Sequence, residues 1–196
     1  MRWIWILGLV LLLSCGSRDT AKSTVEVTEL ELGGDGRDYL NGEPYTGRAI
    51  ERYSNGIIKY EAVIENGYIE GELKEWDSLG NILTVSNYRK GTMKGNFKKY
   101  YPNGDLHFEV DYADGAANGK AKEYHENGRI KIVSHYKDGV EHGDFILYDS
   151  SGIEQLKGMM VNGERDGVWF ERWGKRRVKN TYEKGEILGE SEILEE

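Results

Sequence analysis

The chain of 196 residues has one cysteine, two prolines and four histidines. A single cysteine excludes an internal disulfide framework and a cysteine-built zinc site. Two prolines exclude a proline-rich linker. Basic residues are outnumbered, 26 against 34 acids, for a formal net charge of −8. Nucleic-acid binders carry a basic patch or stripe, so this balance argues against that class of partner. Long apolar runs are missing too. The longest, Trp3 to Leu13, has eleven residues, whereas a helix crossing a bilayer needs about 20. What the chain does have is glycine, 26 residues, nearly twice the usual share of roughly 7%. Thirteen tyrosines and five tryptophans argue against disorder, because aromatic rings bury large areas.

The amino terminus reads as an address. Met1-Arg2 and the apolar run have the layout of a secretory signal peptide. The run closes on "LLSC", Leu12 to Cys15, which resembles the lipobox of bacterial lipoproteins. That resemblance implies cleavage after Ser14, acylation of Cys15 and a lipid anchor in the cell envelope. By analogy with enteric bacteria, Gly16 in place of aspartate implies the outer membrane. The polar stretch "GSRDTAKST" that follows reads as a flexible tether.

The glycines are periodic. They recur at 47, 71, 95, 119, 143 and 167, a period of 24, with a seventh at 189 after a unit shortened by two. Second and third glycine columns stand at unit positions ten and twenty-one. "YSNG" (53–56), "YPNG" (101–104) and "HENG" (125–128) have the chemistry of a type I turn, with glycine closing a three-residue hairpin loop through a bulge. "ADG" (113–115) and "KDG" (137–139) mark a second turn. Between the turns the pattern has period two, as in Ile58, Tyr60, Ala62 and Ile64, which predicts half-buried strands. The three-residue loop pairs position six with twelve, so Tyr100 lies opposite Leu106. Strict alternation then places Leu106 on one face with Phe108 and Val110, and His107, Glu109 and Asp111 on the other. Position three (Ala49, Leu73, Phe97, Ala121, Phe145, Trp169) is apolar yet falls opposite to position six. This requires either a bulge in the first strand or apolar cover on both faces.

The recurring Tyr-x-x-Gly-x-x-x-Gly, at Tyr88, Tyr112 and Tyr136, and "YYPNG" at 100–104 resemble the MORN-repeat variant of bacteria. The likeness covers 47–189, with a partial unit in "YLNGEPYTG" (39–47). Glu154 in the apolar twelfth position and the shortened sixth unit depart from it. The resemblance implies an all-β protein: an elongated antiparallel β-meander of successive hairpins, each contacting mainly its neighbours. It further implies a scaffold for protein or lipid contact, and some bacterial relatives are grouped with antitoxins. It supplies no catalytic residues. The expected organisation is a signal peptide (1–14), a lipidated Cys15 and tether (15–24), a cap strand and partial repeat (25–46), six repeats (47–188) and an acidic tail (189–196).

Chemistry shared by a repeat array should form a column, and the four histidines form none. His107, Glu109 and Asp111 sit two apart on a strand, but matching positions in other units are polar and chemically unlike, which describes a solvent face. The chain has no Gly-x-Ser-x-Gly, and "GGDG" (33–36) lacks the lysine and the following helix of a phosphate cradle. An enzyme, a cofactor and a metal are therefore not expected. One ordered stripe remains: Lys74, Lys98 and Lys122 at position four, and Trp76, Tyr100, Tyr124 and Tyr148 at position six. Such residues are common in binding surfaces and also hold a single sheet together. The favoured reading is a non-enzymatic envelope lipoprotein whose repeat sheet is a scaffold for a protein partner. Alternatives are a module for membrane surfaces or glycans, and an immunity or antitoxin-like protein.

Overall fold

The structure is a computed structural model that describes residues 23–194. The expected signal peptide, Cys15, most of the tether and Glu195–Glu196 lie outside the described residues. Every unit contributes two strands. The first strands are Gly47–Arg52, Tyr68–Trp76, Gly95–Tyr100, Ala116–Tyr124, Gly143–Tyr148 and Glu164–Trp173. The second strands are Ile58–Glu65, Ile82–Arg89, Leu106–Ala113, Ile130–Lys137, Glu154–Val161 and Arg176–Glu183. Each second strand pairs antiparallel with the first strand of its own unit and, through unit five, with that of the next, so the hairpins form one meander. The architecture is all-β, as the family resemblance implies and the alternation between the turns predicts.

Both turns follow from their residues. In the first loop the Tyr53 amide donates to the Ile57 carbonyl at 2.8 Å and the Gly56 amide to the Tyr53 carbonyl at 2.9 Å, which closes a three-residue loop. Gly56 takes φ 84°, the left-handed conformation that completes it. The second turn needs positive φ at both central residues, and Asp114 (49°) and Gly115 (86°) supply it, a type I′ pair. Its glycine also bonds onward: the Gly115 amide donates to the Met93 carbonyl of the preceding hairpin at 3.0 Å, and Gly139 to Ala117 at 2.9 Å.

Register resolves the conflict at position three. Position six does pair with twelve (Tyr100 with Leu106, Trp76 with Ile82), but the preceding step skips a residue, since Lys99 pairs with Phe108. The extra residue, His107, is a bulge in the second strand, not the first. Position three consequently pairs with position sixteen: Ala49 with Ala62, Leu73 with Ser86, Phe97 with Val110, Trp169 with Asn180. This row is the core. Ala49, Ala62, Leu73, Ser86, Val110, Ala121, Ser134, Trp169 and Asn180 are all buried. Small residues in it (Ala49, Ala62, Ser86, Ala121, Ser134 and Gly158) leave room for Leu73, Phe97, Phe145 and Trp169, so the sheet packs over its own side chains. Phe97 meets Phe108 and Tyr112 with ring centroids 6.3 and 6.1 Å apart. Gly158 lies between Phe145 and Trp169, where a Cβ would run into the indole.

The bulge overturns two expectations. Leu106 does not share a face with Phe108; it turns to the open side with Tyr100. His107 parts company with Glu109 and Asp111. It sits on the packed side, stacked on Tyr101 at 4.2 Å and 3.5 Å from the Glu123 carboxylate.

The ends are closed differently. Thr24–Glu26 pairs parallel to Gly47–Arg52, and a 3-10 turn, Val27–Glu29, leads into a separate three-stranded sheet of Glu31–Leu32, Asp38–Leu40 and Glu43–Pro44. Val25, Val27, Leu30 and Leu40 pack on Tyr45, Ala49 and Ile64 and cover the packed face of the first unit. The expected cap strand is thus two short strands, Thr24–Glu26 and Glu31–Leu32, broken by the 3-10 turn. At the far end, Glu192–Leu194 pairs antiparallel with Arg177–Lys179, and Lys179 Nζ meets Glu192 at 2.8 Å. That part of the acidic segment is an edge strand.

Candidate interaction face

Positions four and six share the face opposite the buried row. Lys122 Nζ and Tyr124 Oη both reach the Glu109 carboxylate, at 3.1 and 2.8 Å. The open face therefore gathers positions four, six and fifteen from successive units, roughly 10 Å apart because each unit spans two strands. Lys74, Lys98 and Lys122 fall in one line and Trp76, Tyr100, Tyr124 and Tyr148 in another, all half-buried. Every stripe residue lies on this face.

The three-residue loop builds the apolar part of this face. It pairs Ile82, Leu106 and Ile130 with Trp76, Tyr100 and Tyr124, while Tyr148 pairs with Glu154 and shares a cleft with Ile130 of the preceding unit. Clefts open between successive units. One, of 370 Å³, runs among Lys74, Ile82, Val85, Lys98 and Tyr100. Another of 390 Å³ lies between Leu106 and Tyr124, and its counterpart one unit on, 320 Å³, between Ile130 and Tyr148.

The electrostatics are paired. Glu109 lies opposite Lys98 on its own hairpin and opposite Lys122 on the next. Burial pushes its carboxyl up, but the hydrogen bonds from Tyr124 and Lys122 outweigh this and hold it below the usual glutamate value. The hydrogen bond to Glu109 raises the Lys122 ammonium, and burial together with Glu109 raises the Tyr124 phenol. Lys74 is raised by its hydrogen bond to Glu72, 2.9 Å away. The lysine line ends at the fifth and sixth units, where Ile146 and Phe170 take position four. Glu154, the departure at position twelve, finds a cation there: Arg177 Nη2 stands 3.1 Å from its carboxylate.

Several interactions have no signal in a single unit. Position seven works between units: Tyr53 Oη donates to the Trp76 carbonyl at 2.8 Å and Tyr101 Oη to the Tyr124 carbonyl at 2.6 Å. His125 Nε2 lies 3.0 Å from the Tyr148 carbonyl, replacing tyrosine in the same role. Comparing position seven across units could have found this, because Asp77, Asp149 and Trp173 stand there in the other three. Those aspartates cap their own loops, accepting from the amides of Leu79 and Asn81, and of Ser151 and Ile153. Arg165 is a further such case. It lies over Trp169, 4.6 Å from the ring centroid, and its guanidinium meets Glu171 at 2.7 Å on the packed face.

This arrangement can grip an extended surface, with flat rings for apolar contact and ammonium groups for acceptors. Among the described residues, no three of His, Cys, Asp and Glu stand close enough to hold a metal ion.

Two segments, 93–114 and 117–138, match the MORN repeat variant family. Both segments are similar to MORN repeats. Each matched segment runs from the start of a first strand to the type I′ turn, so the MORN frame coincides with the structural hairpin. The candidate residues Lys98, Tyr100, Lys122 and Tyr124 lie within the matched MORN segments. No curated protein matches the chain. Among solved structures, similarity extends to a chain of a GtfA/B complex bound to UDP and GlcNAc, at 12% identity and a TM-score of 0.26. It covers 64% of this chain and 22% of that one.

Proposed function

We propose that the protein is a non-enzymatic scaffold of the bacterial cell envelope, held by an acylated Cys15, most fittingly in the outer membrane. Its open face meets a protein partner. The observation that carries this reading is the line of Trp76, Tyr100, Tyr124 and Tyr148 on the face opposite the buried row, the three tyrosines each lining a cleft. Solenoid-like arrays use such extended surfaces for binding. The charged groups of this face neutralise one another, which suits recognition by contact.

The test is site-specific photo-crosslinking in envelopes. A crosslinker at Tyr100 should give a discrete adduct, and one at Phe108, on the packed face, should give none. Equal adducts from both positions, or none from either, would remove the open face as the binding surface. Fatty-acid labelling checks the anchor separately: label should enter the chain and be lost in Cys15→Ala. A second reading, glycan binding on the same face, draws on the clefts beside Tyr124 and Tyr148, where sugar rings could stack. It predicts retention of the protein on immobilised polysaccharide that Tyr124→Ala abolishes.

A further inference from the structure

We propose that Asn41 is a site of spontaneous deamidation, and that the modified residue loosens the amino-terminal cap. The chain has seven Asn-Gly steps. At such a step the glycine amide nitrogen can attack the asparagine Cγ, and a successor without a Cβ leaves the approach open. The N–Cγ bond forms, the bond from Cγ to the carboxamide nitrogen breaks, and ammonia leaves with the amide proton. Water then opens the succinimide at either carbonyl, giving aspartate or isoaspartate. The reaction needs a glycine amide without an acceptor and a carboxamide free to turn.

Six of the seven steps are guarded. In the three-residue loops both halves are held. Asn55 Oδ1 accepts from the Ile57 amide, its Nδ2 donates to the Ser78 carbonyl, and the Gly56 amide donates to the Tyr53 carbonyl. Asn103 and Asn127 are held at both ends too, with the amides of Gly104 and Gly128 engaged. In the type I′ turns of the array the glycine amide bonds back to the preceding hairpin. Gly67, after Asn66, donates to the Tyr45 carbonyl at 2.7 Å, and Gly163, after Asn162, to the Glu141 carbonyl at 2.9 Å. Asn118-Gly119 lies inside the strand Ala116–Tyr124, which is paired on both sides, and the Asn118 carboxamide reaches Asp138.

Asn41-Gly42 has neither guard. It forms the type I′ turn between Asp38–Leu40 and Glu43–Pro44, with φ 52° and 81°. This turn belongs to the cap, so no repeat hairpin stands before it. Among the described residues the Gly42 amide meets no acceptor and the Asn41 carboxamide no partner. Both residues are exposed, and nothing lies within 4 Å of the place a Gly42 Cβ would take. The turn closes a sheet whose strands have two or three residues. So short a hairpin opens readily, and opening gives the rotation that brings the Gly42 nitrogen onto Cγ.

The consequence is set by the preceding residue. Leu40 packs on the buried cluster of Tyr45, Ala49 and Ile64. Isoaspartate routes the main chain through its own side chain and lengthens a two-residue loop by one methylene. Either product also adds a negative charge beside Glu43. The lengthened turn draws Leu40 from its place and uncovers the first unit. The inference goes beyond the proposed scaffold role and does not depend on it.

The full chain is incubated at mildly alkaline pH, where loss of the amide proton speeds the attack, and then digested for peptide mapping by mass spectrometry. Asn41 should convert several-fold faster than any other Asn-Gly step, to a mixture of aspartate and isoaspartate. In urea the seven steps should convert at similar rates, because the guards belong to the fold. Conversion of Asn41 no faster than that of Asn55 or Asn162 in the folded chain would overturn the proposal. The same lead for Asn41 in urea, or aspartate without isoaspartate, would overturn it too. The isoaspartate form, separated by ion exchange, should show faster hydrogen exchange in Gly47–Arg52 than the parent chain. Equal exchange there would overturn the loosening of the cap. A failed Tyr100 crosslink leaves these results untouched.

Discussion

Single residues in this protein act through their partners across units. Gly158 is outside the three glycine columns, yet the Trp169 indole occupies the space its side chain would need. Gly158→Ala should destabilise by about 1–3 kcal/mol through overpacking, read as a lower urea midpoint. Trp169→Leu in the same chain should recover part of that loss, because the two sites share one space. Tyr101→Phe deletes a hydrogen bond that ties the third unit to the fourth and should cost about 1 kcal/mol by the same measurement. Glu109 gives a pH signature. Its carboxyl titrates below the ordinary glutamate value in the folded state. Its contribution is therefore complete above the unfolded-state value and is lost as pH falls through the folded one. The stability gap between the parent chain and Glu109→Gln should be open near neutral pH and close on acidification, followed by urea midpoints across the acid range.

At the scale of the hairpin, the two turns are specified by short local sequences, and this is why they are legible. Asn-Gly and Asp-Gly favour the left-handed pair of a type I′ turn, and Gly115 sits at φ 86° where an alanine is strained. Gly115→Ala should cost about 1–2 kcal/mol, whereas Asp114→Gly should change the thermal midpoint little. The bulge at position thirteen was not legible in the same way. Lys59, Leu83, His107, Lys131 and Gln155 hold that position, and apart from the two lysines they are chemically unlike. A bulge set by the pairing of two strands leaves no mark on the residue it displaces. Its only trace was indirect, in the apolar position three, which a bulge-free hairpin puts on the wrong side. The separation of Leu106 from Phe108 and the stacking of His107 on Tyr101 follow from that one extra residue.

At the scale of the molecule, stability is distributed along an array in which each unit leans on its neighbours. The amino-terminal cap is the exception, because it covers the first unit with side chains from outside the repeat. Tyr45 is its centre: buried, with Oη donating to the Ser23 carbonyl at 2.6 Å. Tyr45→Ala should remove about 3 kcal/mol locally. Hydrogen exchange should then show faster opening of amides in Gly47–Arg52, with Ala116–Tyr124 keeping its protection. Loss of protection spread evenly over all six units would mean that the array unfolds as one body.

The amino-acid order alone determined the period, both turns, the strand count and the stripe of lysines and aromatics, because glycine conformation and alternation act within a few residues. Tertiary structure decided which faces those strands present. The bulge at His107, the row from Ala49 to Asn180, the inter-unit bonds of Tyr53, Tyr101 and His125, and the pairing of Glu192–Leu194 on the last hairpin all depend on contacts between strands. Such contacts are set by register, and register belongs to pairs of strands, not to either strand by itself.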